Sequence, residues 1–173
     1  QIITSGRGLF PEELVDEFKH CLDQVPPDSF ENVRRIVEEE IGGSIESVFD
    51  YFDPECLAAA SIAQVHAARL KTGEDVVVKV QRQGMEKLMR QDMGNMLFFA
   101  SFVHRLGFDL KIDQVSILRE YQAQVPLEFD FVREARLIET VGSSIRRDPA
   151  NALVEVPEVM PALSSETVLT MSF

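Results

Sequence analysis

The sequence predicts an α+β fold, with helices leading into a small antiparallel sheet and more helices inserted into it. Three observations carry this expectation. The hydrophobic period is helical up to about residue 49, strand-like from Ala63 to Gln81, and helical again from Gly84. The two alternating runs, 63–70 and 75–81, flank Lys71-Thr72-Gly73-Glu74, which has the composition of a hairpin turn. Proline and glycine pairs, Pro26-Pro27 and Gly42-Gly43, fall between the periodic segments.

Residues 11–23 read as a first helix. Pro11 suits its opening turn, and Leu14, Val15, Phe18, Cys21 and Leu22 form one apolar stripe. Asp28 or Ser29 can cap a second helix whose inner face is Phe30, Val33, Ile36, Val37 and Ile41, and Gly42-Gly43 ends it. Glu38, Glu39 and Glu40 lie at the unfavourable end of that helix dipole and read as a solvated acidic face. A short third helix is expected over 45–49.

On the strand over 75–81, Val76, Val78 and Val80 point one way and Val77, Lys79 and Gln81 the other. A lone lysine among valines needs a partner, because an unpaired buried ammonium is costly. A phosphate ligand or a carboxylate would each satisfy it.

Residues 84–107 read as a long helix carrying Met85, Met89, Met93 and Met96, broadened by Leu88, Leu97, Phe98, Phe99, Phe102, Val103 and Leu106. Packing within the chain is the expected use of that stripe, and a lipid tail or partner helix is the alternative. Another helix is expected over 112–124. Pro126 is expected to break it, because the residue before proline disfavours the α region, and a new helix should run from there to about Arg147 with Glu128 and Asp130 in its first turns. A short strand near 153–156 and a last strand over 167–173 complete the order.

Composition narrows the function classes. The 173 residues are 45% hydrophobic, enough for a core. Their net charge of −12 argues against nucleic acid and against electrostatic docking to anionic lipid. Cys21 and Cys56 have no metal-site or redox spacing and read as reduced, mostly buried thiols. His20, His66 and His104 are isolated, and His66 reads as a structural histidine.

Three segments together resemble the UbiB/ADCK (aarF-domain) atypical kinases. They are the alanine-rich loop Ala58-Ala59-Ala60-Ser61, the strand Val76-Val77-Val78-Lys79, and Glu128-Phe129-Asp130-Phe131 followed by Arg133-Glu134-Ala135. The resemblance implies a protein-kinase-like N-terminal lobe, a small antiparallel sheet plus a C-type helix, over residues 49–173. A helical N-terminal extension would occupy 1–48 and a helical insertion about 84–124. It implies that Lys79 holds the nucleotide phosphates and that Glu134 orients Lys79, as in kinases generally. Ala58 to Ser61 would cover the nucleotide where typical kinases use glycines. Met171 would stand at the gatekeeper position, with Ser172 and Phe173 opening the adenine-binding hinge. Glu128 and Asp130 match the family's Glu-x-Asp motif, which ties down an extension bearing Lys-x-Gly-Gln. Gln1 would be the last residue of that segment.

By the same resemblance the cofactor is ATP, with Mg2+ held by residues outside this chain, because no catalytic-loop aspartate or Asp-Phe-Gly follows. The chain is therefore expected to be an inactive piece of a kinase or ATPase acting in isoprenoid-quinone biosynthesis. Implied partners are ATP or ADP, membrane lipid and quinone-biosynthesis proteins, with self-association of a cut lobe. The implied setting is membrane-associated, at a bacterial cytoplasmic face or in a mitochondrion or plastid. The alternative is a non-catalytic, nucleotide-switched module that binds lipid or protein.

Overall fold

The structure is a computed structural model and describes residues 26–106, 114–151 and 153–173. The expected first helix, Cys21 and Gln1 lie outside the described residues. Helix α1 (Phe30–Ile41) starts at Ser29, whose side chain accepts from the Asn32 N–H. It stops at Gly42, which takes φ +70°, a conformation glycine adopts without steric cost. A single turn, α2 (Ile45–Val48), leads into β1 (Phe49–Ala59). Strands β2 (Ala63–Leu70) and β3 (Asp75–Gln81) form the expected hairpin. Helices α3 (Met85–Arg105) and α4 (Gln114–Glu128) pack on each other, and α5 (Phe131–Arg146) follows. Strand β4 (Val168–Ser172) then pairs antiparallel with β3.

The four strands lie in the order β1-β2-β3-β4, and helices cover both faces of the sheet. Val76, Val78, Val80, Ala68, Leu70 and Val168 meet Val33, Ile36 and Val37 of α1, with Ile45 and Phe49 at the edge. Ala63 and Leu169 occupy the opposite face and meet Phe131, Ala135 and Ile138 of α5. The period-2 pattern of β3 thus sends its valines toward α1 and Lys79 toward α5.

Several expectations need correction. Pro126 does not begin a helix: α4 runs through it and ends at Glu128. Burial of Val125 and Phe129 holds the helix together across the lost N–H, and the true break lies at Phe129, whose carbonyl accepts from the Gln81 side chain at 2.9 Å. Glu128 therefore closes α4 instead of opening α5, while Asp130 is the α5 N-cap and accepts from the Arg133 N–H at 2.8 Å. The short strand expected over 153–156 does not form. Leu153 and Val154 are exposed, and the only pairing nearby among the described residues is a single bridge between Val159 and Met171.

The acidic run 38–40 is more than a solvated face. Glu38 accepts from the Ile45 N–H and so caps α2, Glu39 pairs with Arg35, and Glu40 accepts from the Thr167 hydroxyl beside β4. The α3 stripe does not serve as core in the described structure. Only Ala100 of that helix is buried, and Phe98 and Phe99 are 77% and 67% exposed. Cys56 is free and half-buried on β1.

Candidate functional site

Lys79 stands on β3 between Val65 of β2 and Leu169 of β4, its partners in register. Neither can answer a charge, so the partner must come from above the sheet. It is Glu134, one turn into α5, whose two carboxylate oxygens each lie 2.7 Å from the Lys79 ammonium. The ammonium also sits 4.6 Å from the centre of the Phe131 ring, a cation–π contact that helps offset its lost hydration. Phe131 is fully buried, and its N–H donates to the Glu166 carbonyl, so the start of α5 is anchored to the segment before β4. This fixes the height of Glu134 over the sheet.

A cavity of about 580 Å³ opens beside the pair. Its floor includes Ala63, Val65 and Lys79, one wall is Ala58 to Ile62, and Met89, Tyr121, Gln124, Val125 and Glu128 of α3 and α4 close the other. That size suits a small-molecule ligand. The lining is apolar toward the alanines and polar around Lys79, Gln124 and Glu128.

Ala58 and Ala59 end β1, and Ala60, Ser61 and Ile62 make the turn into β2. Among the described residues no non-glycine residue takes positive φ, so this turn does not form the alternating backbone concavity that glycine-rich anion loops use. The Ala60 N–H is spent on the Ala63 carbonyl at 2.8 Å. The loop therefore covers the cavity by shape more than by amide donors.

The structure brings Lys79, Glu134, Glu128 and the alanine loop together. Met171 lies on β4 opposite Val77 and packs beside Leu169 and Phe131, outside the lining of this cavity. Ser172 is also outside it, with its N–H and hydroxyl bonded to Glu158. Asp130 is engaged as a helix cap.

His66 is the buried structural histidine that the sequence leads one to expect, but sequence reasoning missed its partner Gln64 and the polar frame they form behind the loop. Gln64 and His66 are buried side by side on β2. The His66 Nδ1 bonds the Asp53 carbonyl, so it carries the proton, and Nε2 accepts from the Gln64 amide. Burial pushes the His66 pKa below the ordinary histidine value, against the smaller opposing effect of that carbonyl. The alternation of Gln64 and His66 among Ala63, Val65 and Ala67 is the signal that marks them. Met89, Tyr121 and Gln124 were likewise not singled out as cavity residues, because only the tertiary fold turns them inward.

The comparisons with known proteins agree with this architecture. Residues 20–173 match the profile described as "ABC1 atypical kinase-like domain". An aarF domain-containing protein kinase of Arabidopsis thaliana, described as uncharacterized and chloroplastic, is 38% identical over 99% of this chain and 32% of its own length. A probable protein kinase UbiB of Pseudomonas putida is also 38% identical, over 99% of this chain and 31% of its own. The chain thus spans about a third of the length of these relatives. Among solved structures, that of the Rv3197–erythromycin complex from Mycobacterium tuberculosis superposes with a TM-score of 0.65 at 24% identity, covering 96% of this chain and 41% of that one, which shows the shared fold.

Proposed function

The chain belongs to the ABC1 atypical kinase-like family, and on that premise we propose that it forms the nucleotide-binding lobe of an ATP-dependent atypical kinase or ATPase. The observation that carries the reading is the Lys79–Glu134 pair beside a ligand-sized cavity whose floor includes Lys79. The ammonium has three donors and the carboxylate has two oxygens, so one donor remains that a phosphate oxygen in the cavity could take. Glu134 holds the ammonium aimed along the sheet face. The apolar wall of Ala58, Ala59 and Ala60 suits a flat base, and Ser61 adds a hydroxyl at the rim. Met171 and Ser172 are proposed as the gatekeeper and hinge side of the same cleft.

Bound ATP would supply the transferable phosphoryl group, and its Mg2+ ligands are proposed to lie outside this chain. Glu128 and Asp130 are proposed to hold an N-terminal extension through the segment ending at Gln1. A role in isoprenoid-quinone biosynthesis is proposed from the UbiB name of the Pseudomonas relative. The division into an extension (1–48) and a lobe (49–173) with its insertion belongs to the same proposal.

Calorimetric titration of the full-length protein with Mg-ADP and Mg-ATP tests this. Lys79→Ala should weaken binding at least about tenfold, the loss of about 1.4 kcal/mol. Undiminished affinity in that variant would sink the reading.

The exposed Phe98 and Phe99 favour a second reading, in which α3 recruits lipid or a partner and nucleotide only switches shape. No helix among the described residues is long and apolar enough to cross a membrane, so such contact would be lateral. Vesicle flotation of the Phe98→Ser variant, with its nucleotide affinity intact, decides between the two.

A further inference from the structure

Behind the alanine loop, one arginine joins three segments of the chain. The Arg82 N–H donates to the Ile62 carbonyl at 2.8 Å, and its Nη1 reaches the Ala60 carbonyl at 3.3 Å. Its Nε and Nη2 both meet Oδ1 of Asp28, at 3.2 and 3.0 Å. The ion pair is largely shielded from solvent, with side chains 13% and 23% exposed. Asp28 is itself fixed, because its N–H donates to the Gln64 Oε1 at 2.7 Å.

The guanidinium is planar, so its donors cannot be aimed independently. Once Asp28 holds Nε and Nη2, the direction of Nη1 toward Ala60 is set. Ala58, Ala59 and Ala60 have no polar side chains of their own to anchor the loop. Beyond its backbone bonds to β2, the side-chain hold on the loop comes from Arg82, which is bonded to neither Lys79 nor Glu134. Asp28 lies immediately before α1, which packs on the opposite face of the sheet.

We infer that Arg82 is a positioning residue for the nucleotide site, and that Asp28 links the placement of the loop to the segment entering α1. This rests on the nucleotide reading above. A shift of Asp28 releases Ala60, and the loop then spends less time in the geometry that closes the cavity. Nucleotide affinity would follow the position of α1 without any change in Lys79 or Glu134.

The test is hydrogen exchange on the full-length protein, resolved at the Ala60 amide, for wild type, Asp28→Asn and Arg82→Lys, with Mg-ADP affinity measured on the same samples. Lysine keeps the charge but cannot serve Asp28 and Ala60 together. Both variants should speed Ala60 exchange about tenfold, accelerate Val65 and Val78 exchange clearly less, and weaken ADP binding about tenfold. Unchanged Ala60 exchange would overturn the inference. Equal acceleration at Val65 and Val78 would overturn it too, since Arg82 would then support the sheet as a whole. Wild-type protein that binds no ADP would overturn the nucleotide reading, and Ala60 exchange would still decide whether the clamp holds the loop.

Discussion

Lys79 and Glu134 stand 55 residues apart in sequence, yet both Glu134 carboxylate oxygens lie within 2.7 Å of the Lys79 ammonium. The side chains remain 21% and 36% exposed, so water screens the pair. Its contribution to stability should be about 1 kcal/mol or less. Urea unfolding of Lys79→Ala, Glu134→Ala and the double variant should give a coupling energy of that size. A coupling of several kcal/mol would mean that the pair is part of the core and not a poised site.

His66 predicts a pH dependence. Burial lowers its folded-state pKa below the unfolded value of 6.5. Below pH 6.5 the unfolded ring takes up a proton that the folded ring resists. Stability is therefore full above about pH 6.5 and falls as the pH drops toward the folded pKa, by at most about 1.4 kcal/mol per unit from this residue. The urea midpoint of wild type should fall more steeply as the pH drops below 6.5 than that of His66→Asn. Parallel curves would mean that the ring titrates equally in both states.

Gly42 offers a clean backbone test. It takes φ +70° at the end of α1, and a Cβ there would meet nothing within 4 Å. Any loss in Gly42→Ala is thus conformational, and about 1 kcal/mol is expected from thermal unfolding. A neutral result would show that the α1 terminus relaxes freely.

Phe98 and Phe131 should respond in opposite ways. Phe98→Ser should change stability by less than about 0.5 kcal/mol, because the ring is exposed. Phe131→Ala should cost about 3–5 kcal/mol, because that ring is fully buried under the ammonium of Lys79. Comparable losses in the two variants would mean that α3 packs against something in solution.

The contrast between Lys79 and Arg82 shows what the sequence makes legible. Lys79 interrupts a run of valines, and a lone ammonium on a strand covered on both faces calls for a partner. Arg82 sits just past the strand in a polar run, and nothing local marks its 54-residue reach to Asp28. Strand β1 is hard to delimit from the sequence because three irregularities bend its pairing with β2 and it contains Pro54, so its apolar residues never alternate cleanly. Pro126 misleads because local backbone preference is outweighed by the burial of Val125 and Phe129. Leu153 and Val154 have an apolar composition that reads as a strand, but the β4 edge is met by Glu158 and Val159 instead.

The pairing of β3 with β4 also has a consequence in time. Gln81 is added to the chain well before Val168, and at about 5–20 residues per second the interval is roughly 4 to 17 seconds. During that interval the valine-rich edge of β3 has no strand beside it, and such an edge can pair with another chain. The same delay means that Leu169, Lys79's apolar neighbour, arrives only after α5 has been synthesised. The lysine strand therefore gains its second neighbour only after the insertion helices and α5 have been made.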